Sequence, residues 1–148
     1  MNLVKNIDQY NENCVYFCEP IKNNIMNNGH FIRIIYSTSL FVLNGIYIGI
    51  NIDKLSIDKY YNKYKCSFDT NEYSELIENL RIIEEGLLKK NKIFEKNPQY
   101  KIYEQLRNGN FKIFADLSDK IGNSFILKIS GIWETDCEYG LTYKFLLL

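Results

Sequence analysis

The sequence predicts an α+β fold: a curved antiparallel sheet or partly open barrel, with one long amphipathic helix at about residues 71–90 and a possible short second helix. Three observations carry this. Phe31 to Ile52 is the densest run of branched and aromatic residues in the chain, the types that fit a pleated, half-buried surface. Tyr73, Leu76, Ile77, Leu80, Ile83 and Leu87 recur at three- and four-residue steps, which places them on one stripe of a helix. Phe125, Leu127 and Ile129 alternate with Ile126, Lys128 and Ser130, the period of a strand. At 148 residues the chain is long enough to bury one core, so residues 1–148 read as a single domain.

In chain order, residues 1–13 lack apolar periodicity and read as a loose leader or a short edge element. Val15-Tyr16-Phe17 is a short strand stopped by Glu19-Pro20. Residues 21–30 read as a polar connection, with Asn27-Asn28-Gly29 as a turn signal. Ser37-Thr38-Ser39 then divides the organising run into two sequential antiparallel arms. Ile32, Ile34 and Tyr36 share one face of the first arm. Val42, Asn44, Ile46, Ile48, Ile50 and Ile52 share one face of the second, with Asn44-Gly45 a bulge or bend. Asp53 to Asp58 reads as a loop, and a third strand falls within Lys59 to Phe68.

Asp69 and Glu72 have capping-box spacing at the start of the long helix. Acids crowd that start and Lys89-Lys90 the end, complementing the helix dipole. Asn97-Pro98 signals an N-cap and first turn, with Tyr100, Tyr103 and Leu106 on one face and Gly109 near the C-cap. The rival is a strand over 101–106, joined through Asn108-Gly109 to a strand at 111–115 that both readings share. The final third reads as a hairpin, with Trp133 a buried anchor, a charged turn at Glu134, Asp136 and Glu138, and Leu141, Tyr143 and Phe145 alternating.

Composition bounds the chemistry. Twelve Tyr and nine Phe stand against one Ala and two Pro, a bias that A+T-rich codons produce. Net charge is zero, so no overall field draws the protein to a polyanion. No apolar run approaches the ~20 residues of a membrane helix, and the start of the chain is too polar for a signal peptide. The expectation is an intracellular, membrane-free protein. Cys14, Cys18, Cys66 and Cys137 read as buried or half-buried free thiols, because a single short Cys-x3-Cys pair lacks the paired spacings of structural zinc. Phosphate loops, dinucleotide fingerprints and nucleophile elbows are missing, so no catalytic residue, metal or cofactor is expected. His30 reads as an exposed loop residue, and Glu84-Glu85 as part of a solvated helix face.

The non-random feature is charge segregation. Residues 69–85 carry six acids against Arg81, residues 89–112 are rich in Lys and Arg, and residues 59–65 interleave Lys59, Lys63 and Lys65 with Tyr60, Tyr61 and Tyr64. Cations that follow a backbone beside rings that stack on bases are the two ingredients of single-strand binding. The candidate contacts are Arg33, Tyr47, Lys63, Tyr64, Lys65, Lys112, Lys128 and Lys144.

The stretches FIRIIYSTSLFVLNGIYIGI, YEQLRNGNFKIF and LKISGIWETDCEYGLTYKF together resemble small uncharacterised proteins of large nucleocytoplasmic (giant) DNA viruses, over roughly residues 15–148. The element order is also similar to the OB-fold of single-strand DNA-binding proteins, an OB-like barrel with a helix between its third and fourth strands. The acidic C-terminal tail of the phage type is missing, and no binding residue carries across. The resemblance implies a viral protein of DNA replication or packaging, in host cytoplasm, nucleus or virion. The expected function is non-enzymatic binding of single-stranded nucleic acid. The alternative is a viral structural or protein-interaction module that forms a homo-oligomer through a sheet edge.

Overall fold

The computed structural model describes residues 4–23, 29–114 and 122–148. Its main strand path runs β1 (Lys5–Asn6), β6 (Ile46–Asn51), β11 (Ser124–Glu134), β12 (Glu138–Leu147), β10 (Asn110–Phe114), β8 (Lys63–Ser67) and β7 (Ser56–Tyr60). Off this path lie β2 (Val15–Phe17), β3 (Ile21–Asn23), β4 (Gly29–Ser37), β5 (Val42–Leu43) and β9 (Asn97–Gln99). Two helices, α1 (Ser74–Lys90) and α2 (Lys101–Arg107), complete the fold. The class is α+β, largely antiparallel, and the sheet is open: its end strands β1 and β7 do not pair.

β11 organises the sheet. Its first half pairs with β6, from Ser124↔Asn51 to Ile129↔Ile46, and its second half with β4, from Gly131↔Arg33 to Glu134↔His30. The two arms of the Phe31–Ile52 run, expected as sequential antiparallel strands, pair with each other only through β4 and β5 and not over their length. β4 pairs with β5 through Tyr36↔Leu43, and the chain then bends away so that β6 joins β11. The bend falls at Gly45, whose φ of 117° is closed to side-chain-bearing residues. It also flips the side-chain parity. Leu43 and Ile46 are both buried, whereas Val42, expected on the Ile46 face, is 68% exposed.

Other boundaries moved. The loop and third strand expected over 53–68 form a hairpin, β7–β8, closed by Tyr60↔Lys63 around Tyr61-Asn62. Tyr61 takes a positive φ of 43°, unusual for an aromatic residue, which is why no turn signal was visible. The polar connection contains β3, and Asn27-Asn28 of the turn signal lies outside the described residues. Of the two readings for residues 1–13, the short edge element is the one present: Lys5–Asn6 forms β1 against β6 at the end of the strand path. α1 starts at Ser74 without a capping box: Asp69 Oδ1 instead accepts from the Asn71 N–H at 2.9 Å. Asn97-Pro98 begins β9, parallel to β12, and α2 starts after it. The predicted short helix, the Gly109 C-cap (φ 79°) and the 111–114 strand are present.

One core joins sheet and helices. Leu80, Leu87 and Leu88 of α1 and Ile102 and Leu106 of α2 pack with Phe111, Phe125, Leu127 and Phe145, all nearly inaccessible. Phe111 meets Phe125 edge-on at 5.2 Å and Phe145 at 4.8 Å between centroids, aromatic contacts that add to area burial. Trp133 is half-buried rather than sealed. Among the described residues, no helix is long and apolar enough to cross a membrane.

Candidate nucleic-acid interface

Strand register decides which side chains share a face. Directly opposed residues project from the same side of a sheet. Tyr47 opposes Lys128, Lys128 opposes Lys144, Lys112 opposes Lys65, and Lys65 opposes Asp58. The Ile113↔Phe145 pairing of β10 with β12 aligns Lys112 beside Lys144. A row thus crosses six strands, Tyr47–Lys128–Lys144–Lys112–Lys65–Asp58, on the face opposite the buried core positions, and Lys112 also shares a concavity with Lys101 and Glu104 of α2. Next to it runs a shorter row, Phe114–Lys63–Tyr60. Arg33 opposes Gly131, and Gly131 opposes Thr142, two residues before Lys144, so Arg33 belongs to the same face.

Seven of the eight residues singled out from sequence are therefore gathered on one face. The exception is Tyr64. It opposes Ile113 on the core face and is only 6% exposed, so it is not a stacking platform. The reason is parity: Lys63 and Lys65 point outward, so Tyr64 between them points in. Tyr47 is half-buried, with the Lys128 ammonium 5.5 Å from its ring centroid. Arg33 donates from Nη1 to Asn44 Oδ1 at 2.9 Å, which braces the bend beside Gly45.

Charge on this face is one-sided. Among the described residues, Arg33, Lys63, Lys65, Lys112, Lys128 and Lys144 stand against Asp58 alone at outward strand positions of these rows. Among the described residues none of these cations has an ion-pair partner within 4.0 Å. The balancing acids lie on the helix layer, where Arg81 pairs with Glu78 and, at 2.7 Å, with Glu85. Lys63, Lys65, Lys112, Asn110 and Tyr60 line a shallow concavity of ≈ 380 Å³ at the β7 end of the row. A larger concavity, between residues 7–12 and α1, is lined by Ile7, Tyr10, Ile82 and Ile83 with Asp8 and Glu12, and those acids suit it poorly to a polyanion.

Sequence reasoning missed three members of the site. Phe114 is 65% exposed and Tyr60 50% exposed, on either side of Lys63. Strand alternation in Asn110–Phe114 was signal enough to place Phe114 with Lys112; Tyr60 and Asn110 needed the hairpin and its register. Glu84 corrects a second expectation. It is inaccessible rather than solvated, and its carboxylate accepts the Ile102 N–H at 2.9 Å and the Tyr103 N–H at 2.8 Å. It thereby caps α2, satisfying donors that its own N-cap, Tyr100, leaves open. Burial pushes its carboxyl up to about 7, against the opposing pull of those two N–H groups. The signal was present: Glu84 stands four residues after Leu80 and three before Leu87, on the apolar stripe.

The four thiols are free, Cys66 buried, Cys14 and Cys18 half-buried, and Cys137 exposed, contrary to expectation for the last. Burial pushes the Cys66 thiol up to about 11, unfavourable for a nucleophile. His30, exposed as expected, lies in β4 opposite Lys22 and Glu134 rather than in a loop. No group of three or more His, Cys, Asp or Glu gathers at metal-binding distance among the described residues. Compared with known proteins, the chain matches no family model, no curated protein and no solved structure.

Proposed function

We propose that this chain binds single-stranded nucleic acid, without catalysis, on the outer face of its sheet. One observation carries the reading: two lysine pairs, Lys65–Lys112 and Lys128–Lys144, oppose each other directly on one open face, with no acid in salt-bridge range among the described residues. Like charges directly opposed are destabilising, and a polyanion laid across the strands relieves that cost. Tyr47, Tyr60 and Phe114 supply ring faces beside the cations, and base stacking tolerates any sequence. In this reading the curved open sheet takes the part that an OB-like barrel plays in other single-strand binders. The setting we infer from the viral resemblance is DNA replication or packaging.

Fluorescence anisotropy with labelled single-stranded oligonucleotides over a salt series tests this. Four lysines on phosphates give a slope of log K against log salt of about −3. Absence of binding at low ionic strength, or a slope near zero, overturns the proposal. A second reading has its own observation: β7 is exposed along its whole length at the edge of the sheet, an unpaired template for another strand. Assembly in a light-scattering concentration series, with no response to nucleic acid, favours a structural module that oligomerises through that edge.

A further inference from the structure

The cationic row is uneven. Lys128 and Lys144 form a single opposed pair in mid-sheet, whereas Lys63, Lys65 and Lys112 converge at the β7 end in one concavity with the Asn110 amide and the Tyr60 ring. An internal phosphodiester carries one negative charge, but a terminal phosphomonoester carries roughly 1.5 to 2 near pH 7 and three acceptor oxygens. Three ammonium groups and a side-chain amide match the second better than the first.

We propose that this concavity receives the terminal phosphomonoester of a nucleic-acid strand, so that the strand is held by its end and runs from there along the lysine row. The proposal rests on the single-strand reading above and deepens it. The end phosphate takes Lys63, Lys65 and Lys112, and the adjoining base lies against the exposed rings of Tyr60 and Phe114. Asp58, opposite Lys65 on β7, faces the same site and opposes the bound anion.

The test compares a short oligothymidylate bearing a 5′-phosphate, its 3′-phosphorylated isomer and the 5′,3′-dihydroxyl strand by anisotropy competition at fixed salt, with thymidine monophosphate as a further competitor. One phosphorylated end is expected to bind about tenfold more tightly than the hydroxyl strand, the gain of one well-formed charge-assisted contact. Lys112→Gln is expected to erase that preference while costing hydroxyl-strand binding only one phosphate contact, a salt slope shallower by about 0.7, and Asp58→Asn to enlarge it. Circular dichroism serves as the check that both surface variants keep the parent fold. Equal affinity for phosphorylated and hydroxyl strands, with salt-dependent binding intact, overturns end recognition and leaves the single-strand reading standing. Absence of binding by every strand overturns both. Monophosphate binding as tight as the phosphorylated strand assigns the concavity to free nucleotides and overturns the strand-end proposal.

Discussion

Glu84 offers the sharpest test of the fold, because one buried carboxylate joins the two helices. Its carboxyl sits at about 7 against an ordinary 4.5, burial being the largest cause and the charges of Glu85 and Glu104 lesser ones. A folded state that holds a proton more tightly than the unfolded chain gains stability as pH falls. The contribution is thus most favourable below 4.5 and declines as pH rises to about 7, above which it is flat. At ~1.4 kcal/mol per pH unit, that window is worth about 3 kcal/mol. Glu84→Gln keeps the shape and removes the titration, but turns an amide N–H toward one of the two α2 donors, at a cost of about 1–3 kcal/mol. Urea unfolding at a series of pH values should show the variant less stable than the parent near pH 5. The gap should close by about 3 kcal/mol as pH approaches 8. Parallel stability curves for the two proteins would refute the reasoning, since they would mean that Glu84 does not titrate in this window.

Further outcomes follow from the same structure. Lys112→Gln removes a directly opposed like charge, so thermal unfolding should show a gain of about 0.2–1 kcal/mol, while the salt slope for oligonucleotides becomes shallower by about 0.7; Lys65→Gln also loses the Asp58 opposite it on β7, so its stability should stay near the parent's. Phe114→Ala should weaken strand binding by about 1–3 kcal/mol with little loss of stability; Tyr64→Phe should leave binding unchanged, and a large loss there would contradict its place on the core face. A Cβ at Gly131 would lie 2.6 Å from Phe31 Cζ and against the Ile32 carbonyl oxygen, so Gly131→Ala should break the β4–β11 join and lower the melting temperature by several degrees. Lys5 is buried, with its ammonium 4.0 Å from the Tyr36 ring centroid and no hydrogen-bond partner among the described residues. Burial lowers its pKa, so it contributes stability that rises with pH up to the unfolded value of 10.5. Lys5→Met should unfold at higher denaturant and lose that alkaline gain.

Much of this protein was legible along the chain because the signals are local. Leu80, Ile83 and Leu87 declare a helix by spacing alone, and Phe125, Leu127 and Ile129 declare a strand, since each period is set by backbone geometry within a few residues. Gly45 and Gly109 marked their bends because glycine alone enters such conformations cheaply. The same arithmetic turned Arg33, Lys112, Lys128 and Lys144 outward. What the sequence did not contain was register. Whether Lys112 meets Lys65, Lys128 meets Lys144 or Tyr64 turns in beside Ile113 depends on pairings between segments far apart in the chain. β11 serves both β6 and β4 only because a bulge between Ile129 and Gly131 lets one long strand change partners, which no local window shows. Glu84 makes the same point. Its place on the apolar stripe was visible, but the two α2 N–H groups that make its burial tolerable are supplied by a helix eighteen residues away. The chain alone determined the two helices, the long strands of strong period and the faces those strands prefer. The tertiary structure decided which faces meet, because the apolar surfaces those elements must bury can be covered only by one another.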